Sequence, residues 1–599
     1  MPVIEIFKKI ASLLRLFRRA FGQYKMAISS LVILSFFNGI FEGIGITTII
    51  PIFSFVSKGR VDSLDIVTKT IEKVFLFSGV PFTLKYLLIL LIILFIAKSA
   101  VLFFASYISS LITAKYERVT RAHLFKITLE SDWPYLSTQR LGYLDQVITT
   151  DVNTSSGLFF NLTSFIIIVT KLLVYITIAI NLSIPITLMA LLLGVLVMFV
   201  FKPLFFKSKQ MSELTAMTYK KMAHFINENI LGMKTVKSLL AEKKVVEKGT
   251  KYFDEVRRLN IKAAVAKNIT NALMQPIGLV FIMSLFAFSY KTQLFDFGTF
   301  AVIVYAINQI FTLIQMFQAQ LHGMVSAAPY LKSILDYQDM TKNSKEADAG
   351  QERFRFDKSF RFNNVGFSYN KDKKVLDGVD FSINKGKMIG LIGASGAGKT
   401  TIVDLLLRLL RAEKGKITVD GIDIEKISIN EWRSNVGYVS QDIFLMNDTI
   451  ANNIRFYEDS LAENDIIEGA KTANIHDFIE GLPDKYDTIV GERGILLSNG
   501  QRQRIALARV LARRQNLLIL DEATSALDNE SEMLIQEAIE RLKGKITILV
   551  IAHRLSTVMA TDKIIVLENG KIIEEGKPDD LLKDCKSYFY KVYNIRELA

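Results

Sequence analysis

The stretch "GASGAGKTT" sets Gly393, Ala394, Ser395, Gly396, Ala397, Gly398, Lys399, Thr400 and Thr401 in a row. Gly393, Gly398, Lys399 and Thr400 satisfy the spacing G-x-x-x-x-G-K-[ST]. Glycines let backbone N–H groups wrap a phosphate chain, and a helix start behind them adds its positive dipole end. A lysine at that spacing reaches the β- and γ-phosphates, and the hydroxyl after it ligates Mg²⁺. The chemistry is nucleotide binding.

A second apolar run, "NLLILDEA", ends in Asp521 and Glu522, 122 and 123 positions after Lys399. Asp521, at a strand's carboxyl end, is placed to hold the Mg²⁺ shell, and Glu522 beside it to orient or polarise an attacking water. A third run, "ITILVIAHRLS", ends near His553, whose imidazole is placed for the γ-phosphate. The stretch "LLSNGQRQRIALARV" then puts Ser498, Asn499, Gly500 and Gln501 at the start of a helix. Exposed N–H donors without bulky side chains make a second anion site. Two phosphate cradles in one chain suggest a nucleotide held from two sides.

These residues need strands that end together and helices that begin beside them, an α/β domain over 351–599. The first half of the chain is different. Half of all 599 residues are hydrophobic, and those before 335 hold apolar runs near 26–56, 86–112, 158–180, 182–204, 269–290 and 298–325. Each is long enough to cross a bilayer, so six transmembrane helices are expected over 1–335, then a polar linker over 336–350. A net charge of +14 is compatible with nucleic acid, but Lys/Arg-rich loops of a membrane protein explain it better. Six spans exclude a soluble nucleic-acid ATPase.

The loop 202–268 is rich in lysine, from Lys202 through Lys237 to Lys267, whereas "NLSIP" carries no Lys or Arg. Positive charge therefore places both termini and the two long loops in the cytoplasm, with helices extending past the bilayer. The opening "IEIFKKIASLLRLFRRAFGQYK" reads as a basic amphipathic helix on the cytoplasmic surface rather than a cleaved signal. The single cysteine, Cys585, excludes a disulfide framework and a structural zinc site. Glu42, Lys98 and Lys171 fall inside spans, where ionisable groups face a cavity or each other. Both a structural pairing and contact with a substrate remain open for these three.

The motif "LSNGQ" resembles the signature of ATP-binding cassette (ABC) proteins, and the whole layout resembles a half-transporter of the exporter type. The resemblance implies a six-helix membrane domain followed by an α/β P-loop domain with a helical subdomain. It implies ATP and Mg²⁺ as ligands, hydrolysis of ATP, and a second copy as partner, with a heterodimer as the alternative. In that family the signature of one subunit closes on the P-loop of the other. Tyr369 in "VGFSYN" would stack on adenine, and Gln441 in "YVSQD" would link Mg²⁺ to the membrane half. "TIVGERG", Thr488 to Gly494, resembles the X-loop, and "SALD", Ser525 to Asp528, the D-loop. Turns near Asp132–Leu136 and Ile230–Val236 would be coupling helices.

One departure is Asn499, where the signature usually has glycine; asparagine best tolerates left-handed backbone among other residues, so little loss is expected. Glu522 and His553 are both present, unlike a degenerate half. "FEGIGITTIIPIF" resembles the start of lipid-linked oligosaccharide flippases. The implied function is ATP-driven export or flipping of a lipid-linked or amphipathic substrate across the cell membrane, with the ATPase domain cytoplasmic. Multidrug or peptide export is the alternative, and an ATP-gated channel or regulatory membrane protein a more distant one.

Overall fold

The computed structural model describes residues 15–58, 66–139, 141–182, 184–289, 297–348, 350–370, 373–521, 528–551 and 555–591. The chain divides into two compact units, one of residues 1–131 and 138–345, the other of 132–137 and 346–599.

The first unit is all helix. Its long members are α1 (Lys25–Thr47), α2 (Leu84–Leu129), α3 (Val152–Leu182), α4 (Ile184–Leu231), α5 (Glu242–Ser289) and α6 (Phe297–Asn343). Five stretches among the described residues are long and apolar enough to cross a membrane: Arg15–Ile52, Leu84–Leu129, Tyr143–Asn181, Ile184–Phe201 and Val302–Asn343. The sixth expected span lies on α5, which is helical through Ser289; residues 290–296 lie outside the described set. The helices α2, α4, α5 and α6 run to 46, 48, 48 and 47 residues, more than twice what a bilayer needs. They therefore extend well beyond the bilayer, as the lysine-rich loop led one to expect, and Pro203, Pro276 and Pro329 lie inside α4, α5 and α6 without ending them.

Short helices sit at the turns, Trp133–Thr138 between α2 and α3, and Met233–Ser238 between α4 and α5. These cover the two expected coupling turns. The residues expected to form the linker begin inside α6, because nothing between 336 and 343 stops a helix. Of the expected amphipathic opening, residues 1–14 lie outside the described set. Its end is helical from Arg15, with Phe17 and Phe21 packed beside Tyr116 and Phe159, and Arg19 pairing with Asp339.

Small residues set the closest helix approach. A Cβ on Gly43 of α1 would stand 2.8 Å from Val174 Cγ1 on α3, and one on Gly39 would stand 3.1 Å from Val174 Cγ2. Glycines four apart let two backbones meet where lipid tails offer no competing drive. Glu42, beside Gly43, is thereby brought against α3.

The second unit begins with β1 (Ser359–Asn370), β2 (Lys373–Asn384), β3 (Met388–Gly393), α7 (Lys399–Leu406), β4 (Lys414–Val419), β5 (Ile422–Asp423) and β6 (Val436–Val439). It continues with α8 (Glu463–Thr472), α9 (Asn499–Leu511), β7 (Leu517–Asp521), α10 (Asn529–Leu542), β8 (Thr547–Ile551), β9 (Lys563–Glu568) and β10 (Lys571–Gly576). Two sheets form, in orders β2-β1-β4-β5 and β10-β9-β3-β8-β7-β6. The first is antiparallel; the second is parallel apart from the β9–β10 pair.

Alternation explains how the parallel sheet is covered on both faces. Leu518 and Leu520 of β7, with Ile548 and Val550 of β8, join one core. Leu517, Ile519, Leu549 and Ile551 join the other, which the β1–β2 sheet closes. Strands buried on both sides read as unbroken apolar runs, as "NLLIL" and "ITILVI" do. Trp432 is wholly buried in the second core, and its indole N–H donates to the carbonyl of Leu406 at 2.7 Å. It thus holds the last turn of α7, the helix that starts at Lys399.

Replacing Trp432 by phenylalanine removes that donor and some volume. The full-length protein is expected to lose about 1–3 kcal/mol of unfolding stability. Thermal unfolding monitored with and without nucleotide checks this, and an unchanged unfolding curve would contradict the clamp.

Candidate functional site

The parallel sheet carries the site at the carboxyl ends of its strands, where such sheets bind ligands. β3 lies at its centre between β8 and β9. After β3 the chain turns through residues 394–397 into α7. Gly398 caps α7 with φ +107°, a conformation open to glycine, and a Cβ there would also stand 2.7 Å from Leu376 Cδ2. Gly393 leaves no room either, because its Cβ would meet the Leu567 carbonyl oxygen at 2.1 Å. Gly396 has φ +81° and open space beyond it. The loop's glycines therefore serve two purposes, allowing the turn and clearing its concave side.

Lys399 is buried and folds back onto this loop. Its ammonium donates to the carbonyls of Gly393 at 2.8 Å and Ala394 at 3.0 Å. Ala394, Ser395, Gly396 and Thr400 are exposed, whereas Ala397, Gly398 and Thr401 are buried. Thr400 thus lies exposed in the first turn of α7, beside the loop. Tyr369, at the end of β1, is 58% exposed, and its hydroxyl stands 3.3 Å from Thr401 Oγ1. Phe367 holds its ring edge-on, with centroids 5.0 Å apart.

Asp521 closes β7 and is buried. The Tyr438 hydroxyl, on neighbouring β6, donates to Asp521 Oδ2 at 3.3 Å. Burial and the Asp521 charge push the Tyr438 phenol far above its usual range, so it remains a donor. Gln441 follows two residues after β6 and is exposed. The expected catalytic residues Glu522 and His553 lie outside the described residues, as do Ser525, Ala526 and Leu527 of the expected D-loop. The strands that precede Glu522 and His553 end at Asp521 and Ile551, one and two residues away.

Asp404 was not singled out by the sequence reading. Burial, followed by the charge of Asp521, raises its carboxyl to about 6. The signal was present: Asp404 comes four residues after Thr400, on the same face of α7. Tyr438 carried no comparable signal, because it looks like one more strand residue.

The residues present fit Mg²⁺. Thr400 is an exposed residue with a hydroxyl, Asp521 offers a carboxylate held by a neutral donor, and Gln441 is an exposed residue with an amide oxygen. Hard oxygen donors of this kind suit that ion.

The opening of α9 is a capping box. Ser498 Oγ accepts from the Gln501 N–H at 3.2 Å, and Gln501 Oε1 accepts from the Ser498 N–H at 2.9 Å. The N–H groups of Asn499 and Gly500 are left at the tip of the helix. Asn499 is the first helical residue and has no positive φ, so tolerance of left-handed backbone is not what the position requires. Its Oδ1 instead accepts from the Arg502 guanidinium. Gly500 is the constrained position, because a Cβ would stand 2.2 Å from Ser531 Oγ at the start of α10. Helix α9 packs on α8, on Ile450–Arg455, on β6 and on α10. Ser498 and Asn499 are exposed.

In the first unit, the three expected intramembrane charges meet. Glu42 is buried, with Lys171 Nζ at 2.7 Å and Lys98 Nζ at 3.2 Å from the same carboxylate oxygen. The Tyr175 hydroxyl donates to the other oxygen at 2.9 Å. Both lysine side chains keep about a fifth of their surface open, 19% for Lys98 and 18% for Lys171. The cluster joins α1, α2 and α3 and carries one positive charge in excess.

Residues 28–318 match the family model described as ABC transporter transmembrane region, and 376–525 the one described as ABC transporter. The ATP-dependent lipid A-core flippase of Pasteurella multocida is 34% identical over 517 residues, 84% of this chain and 86% of that protein. The protein of the same name from Saccharophagus degradans is 38% identical over 382 residues, 62% of this chain and 63% of that one. A solved structure titled as a bacterial Atm1-family ABC exporter with ATP bound has the same fold, with TM-score 0.78 and 23% identity over 98% of this chain and 100% of that one.

The Asp404–Asp521 proximity yields a pH dependence. A carboxyl that titrates at about 6 when folded, and near its ordinary value when unfolded, binds more protons in the folded chain between those values. Its contribution to stability is therefore lost as pH rises towards 6. Asp404→Asn removes it, so wild type is expected to lose melting temperature relative to the variant across that window. Parallel pH–stability curves would refute the shift.

Proposed function

The chain belongs to the ABC transporter family as an exporter half-transporter, and on that premise we propose that it flips an amphipathic lipid with an anionic head group across the cell membrane. Membership fixes an ATP-hydrolysing, multi-pass membrane protein with a cytoplasmic nucleotide-binding domain, working as a pair of halves. The reading of the substrate rests on the Glu42–Lys98–Lys171 cluster. Two ammonium groups share one carboxylate, so one positive charge is uncompensated among apolar helices. An anionic head group would take up that charge, and Glu42 holds both lysines in place without it. The relatives similar to the chain are named as lipid A-core flippases, which supports a lipid as the substrate.

For the ATPase, the N–H groups of 393–400 and Lys399 would hold the phosphates, with Tyr369 against the adenine. Thr400, Asp521 and Gln441 would hold Mg²⁺, which neutralises charge on the β- and γ-oxygens. Glu522 would orient the attacking water and accept its proton, and His553 would hold the γ-phosphate. The second cradle, Ser498 to Gln501, would close on the P-loop of a second copy of this chain. One fact supports closure between chains: Ser498 and Asn499, at the tip of α9, are exposed. We take the partner to be identical because each chain carries a full set of motifs.

Four outcomes are expected. Glu522→Gln should bind ATP but hydrolyse it at under about a tenth of the wild-type rate, since a positioned base contributes 10²–10⁴-fold. Lys399→Ala should weaken nucleotide binding itself, read by direct titration. Chains with Ser498→Arg and chains with Lys399→Ala should each be inactive, yet recover partial ATPase when co-assembled. Persistent inactivity in verified mixed dimers would refute the pairing between chains or the independence of the two sites. Finally, Lys171→Met should abolish stimulation of ATPase by an anionic lipid while sparing the basal rate. If Lys171→Met with Glu42→Gln restores transport, the cluster is a packing pair and the anionic-substrate reading fails.

A further inference from the structure

Asp151 closes a single turn of π-helix, Val147–Asp151, just before α3 begins. Such turns insert an extra residue, rotate the side chains around it, and recur at functional positions. The residue is fully buried, and neither carboxylate oxygen has a hydrogen-bond partner among the described residues. Ser333 of α6, close by, has its hydroxyl buried in the same condition. Asp151 precedes the apolar run 158–180 and so belongs to the cytoplasmic part of the helix bundle.

The charged and titratable groups that face it come from each neighbouring element. Leu141–Gln146 supplies Tyr143, α4 supplies Lys220, and α6 supplies Tyr330, with Asp336 acting on Tyr143. Helix α2, also packed on the turn, contributes no charge to Asp151 among the described residues. Lys220 is thus the cation in reach, but its ammonium lies over the Tyr143 ring, 5.5 Å from the centroid. Ser333 and Gln146 stand close enough to act on the carboxyl and Lys220 acts on it from α4, but none makes a hydrogen bond of good geometry to it, and burial is the largest influence. The neutral acid is the form such a place accepts. The Ser333 hydroxyl is the group that an acid proton on Asp151 would face.

We propose that Asp151 is a proton-binding site: it carries a proton in this conformation and releases it to the cytoplasm when Lys220 leaves Tyr143 to pair with it. The O–H bond of the carboxyl breaks, the proton goes to water, and the carboxylate left behind meets the ammonium. Each chain then takes up and gives back one proton as its helices shift. This proposal is independent of what the protein transports.

The test uses the full-length protein in lipid, with the infrared absorption of protonated carboxyl groups as readout. Wild type without nucleotide should show a band that Asp151→Asn lacks. Trapping with ATP and vanadate should remove that band and release about one extra proton per chain relative to Asp151→Asn. In Lys220→Met the band should be present before trapping and should survive it. Identical spectra for wild type and Asp151→Asn would overturn the proposal. So would loss of the band on trapping in Lys220→Met. Stability gives a second readout that needs no trapping. A carboxyl protonated when folded and ionised when unfolded makes wild type lose melting temperature relative to Asp151→Asn as pH rises above the ordinary carboxylate range. Parallel curves would overturn the proposal equally.

Discussion

A charge removed from water must find an opposite charge, a set of donors, or a proton. That constraint governs the three most informative places in this chain, and each resolves it differently. Glu42 meets two ammonium groups and a phenol, so its burial is compensated three times over. Lys399 is turned onto two carbonyls of its own loop, which hold the ammonium beside the place where phosphates would lie. Asp151 makes no hydrogen bond of good geometry among the described residues, and a proton is the partner proposed for it. Buried pairs contribute little net stability against apolar replacements, so their value lies in position and switching rather than strength.

The same constraint explains the backbone around each group. Glu42 reaches Lys171 because glycines at 39 and 43 let α1 approach Val174 of α3 closely. Lys399 reaches its carbonyls because Gly393 and Gly398 permit a turn that any Cβ would block. Asp151 is turned inward by one π-turn. In all three, a local departure from regular packing aims a polar atom that a regular helix or strand would leave elsewhere. The regular elements supply the frame: β3, β7 and β8 are apolar on both faces and end in register, which gathers their carboxyl-terminal residues on one edge.

Much of this was legible in the residues. Unbroken apolar runs ending in Gly393, Asp521 and Ile551 announced parallel strands, because only strands covered on both faces lack alternation. The G-x-x-x-x-G-K-T spacing fixed the loop, since each glycine has a steric reason to be there. The meeting of Glu42, Lys98 and Lys171 was expected only as one of two possibilities, because sequence gives depth in the membrane but not rotation about the helix axis. The boundary expected at 335 falls inside α6, because the helix runs through Pro329 and nothing between 336 and 343 stops it. Asp151 escaped notice for a deeper reason. A π-turn has no sequence signature, and without it the 3.6-residue period gives no sign that this aspartate is turned inward.

Asn499 shows how a departure from a family motif should be weighed. The usual glycine there invites an explanation through backbone freedom, yet Asn499 sits in ordinary helical conformation at the first position of α9. What a helix tip offers an anion is its backbone N–H groups, and those are independent of the side chain at that position. The asparagine oxygen faces Arg502, one turn on, and so does not compete for the tip. Gly500 is different, because Ser531 fills the space a side chain would need. Of two adjacent positions in one motif, the first leaves its side chain free to vary and the second is held by the helix it touches. Only the second excludes a side chain on steric grounds within the chain itself.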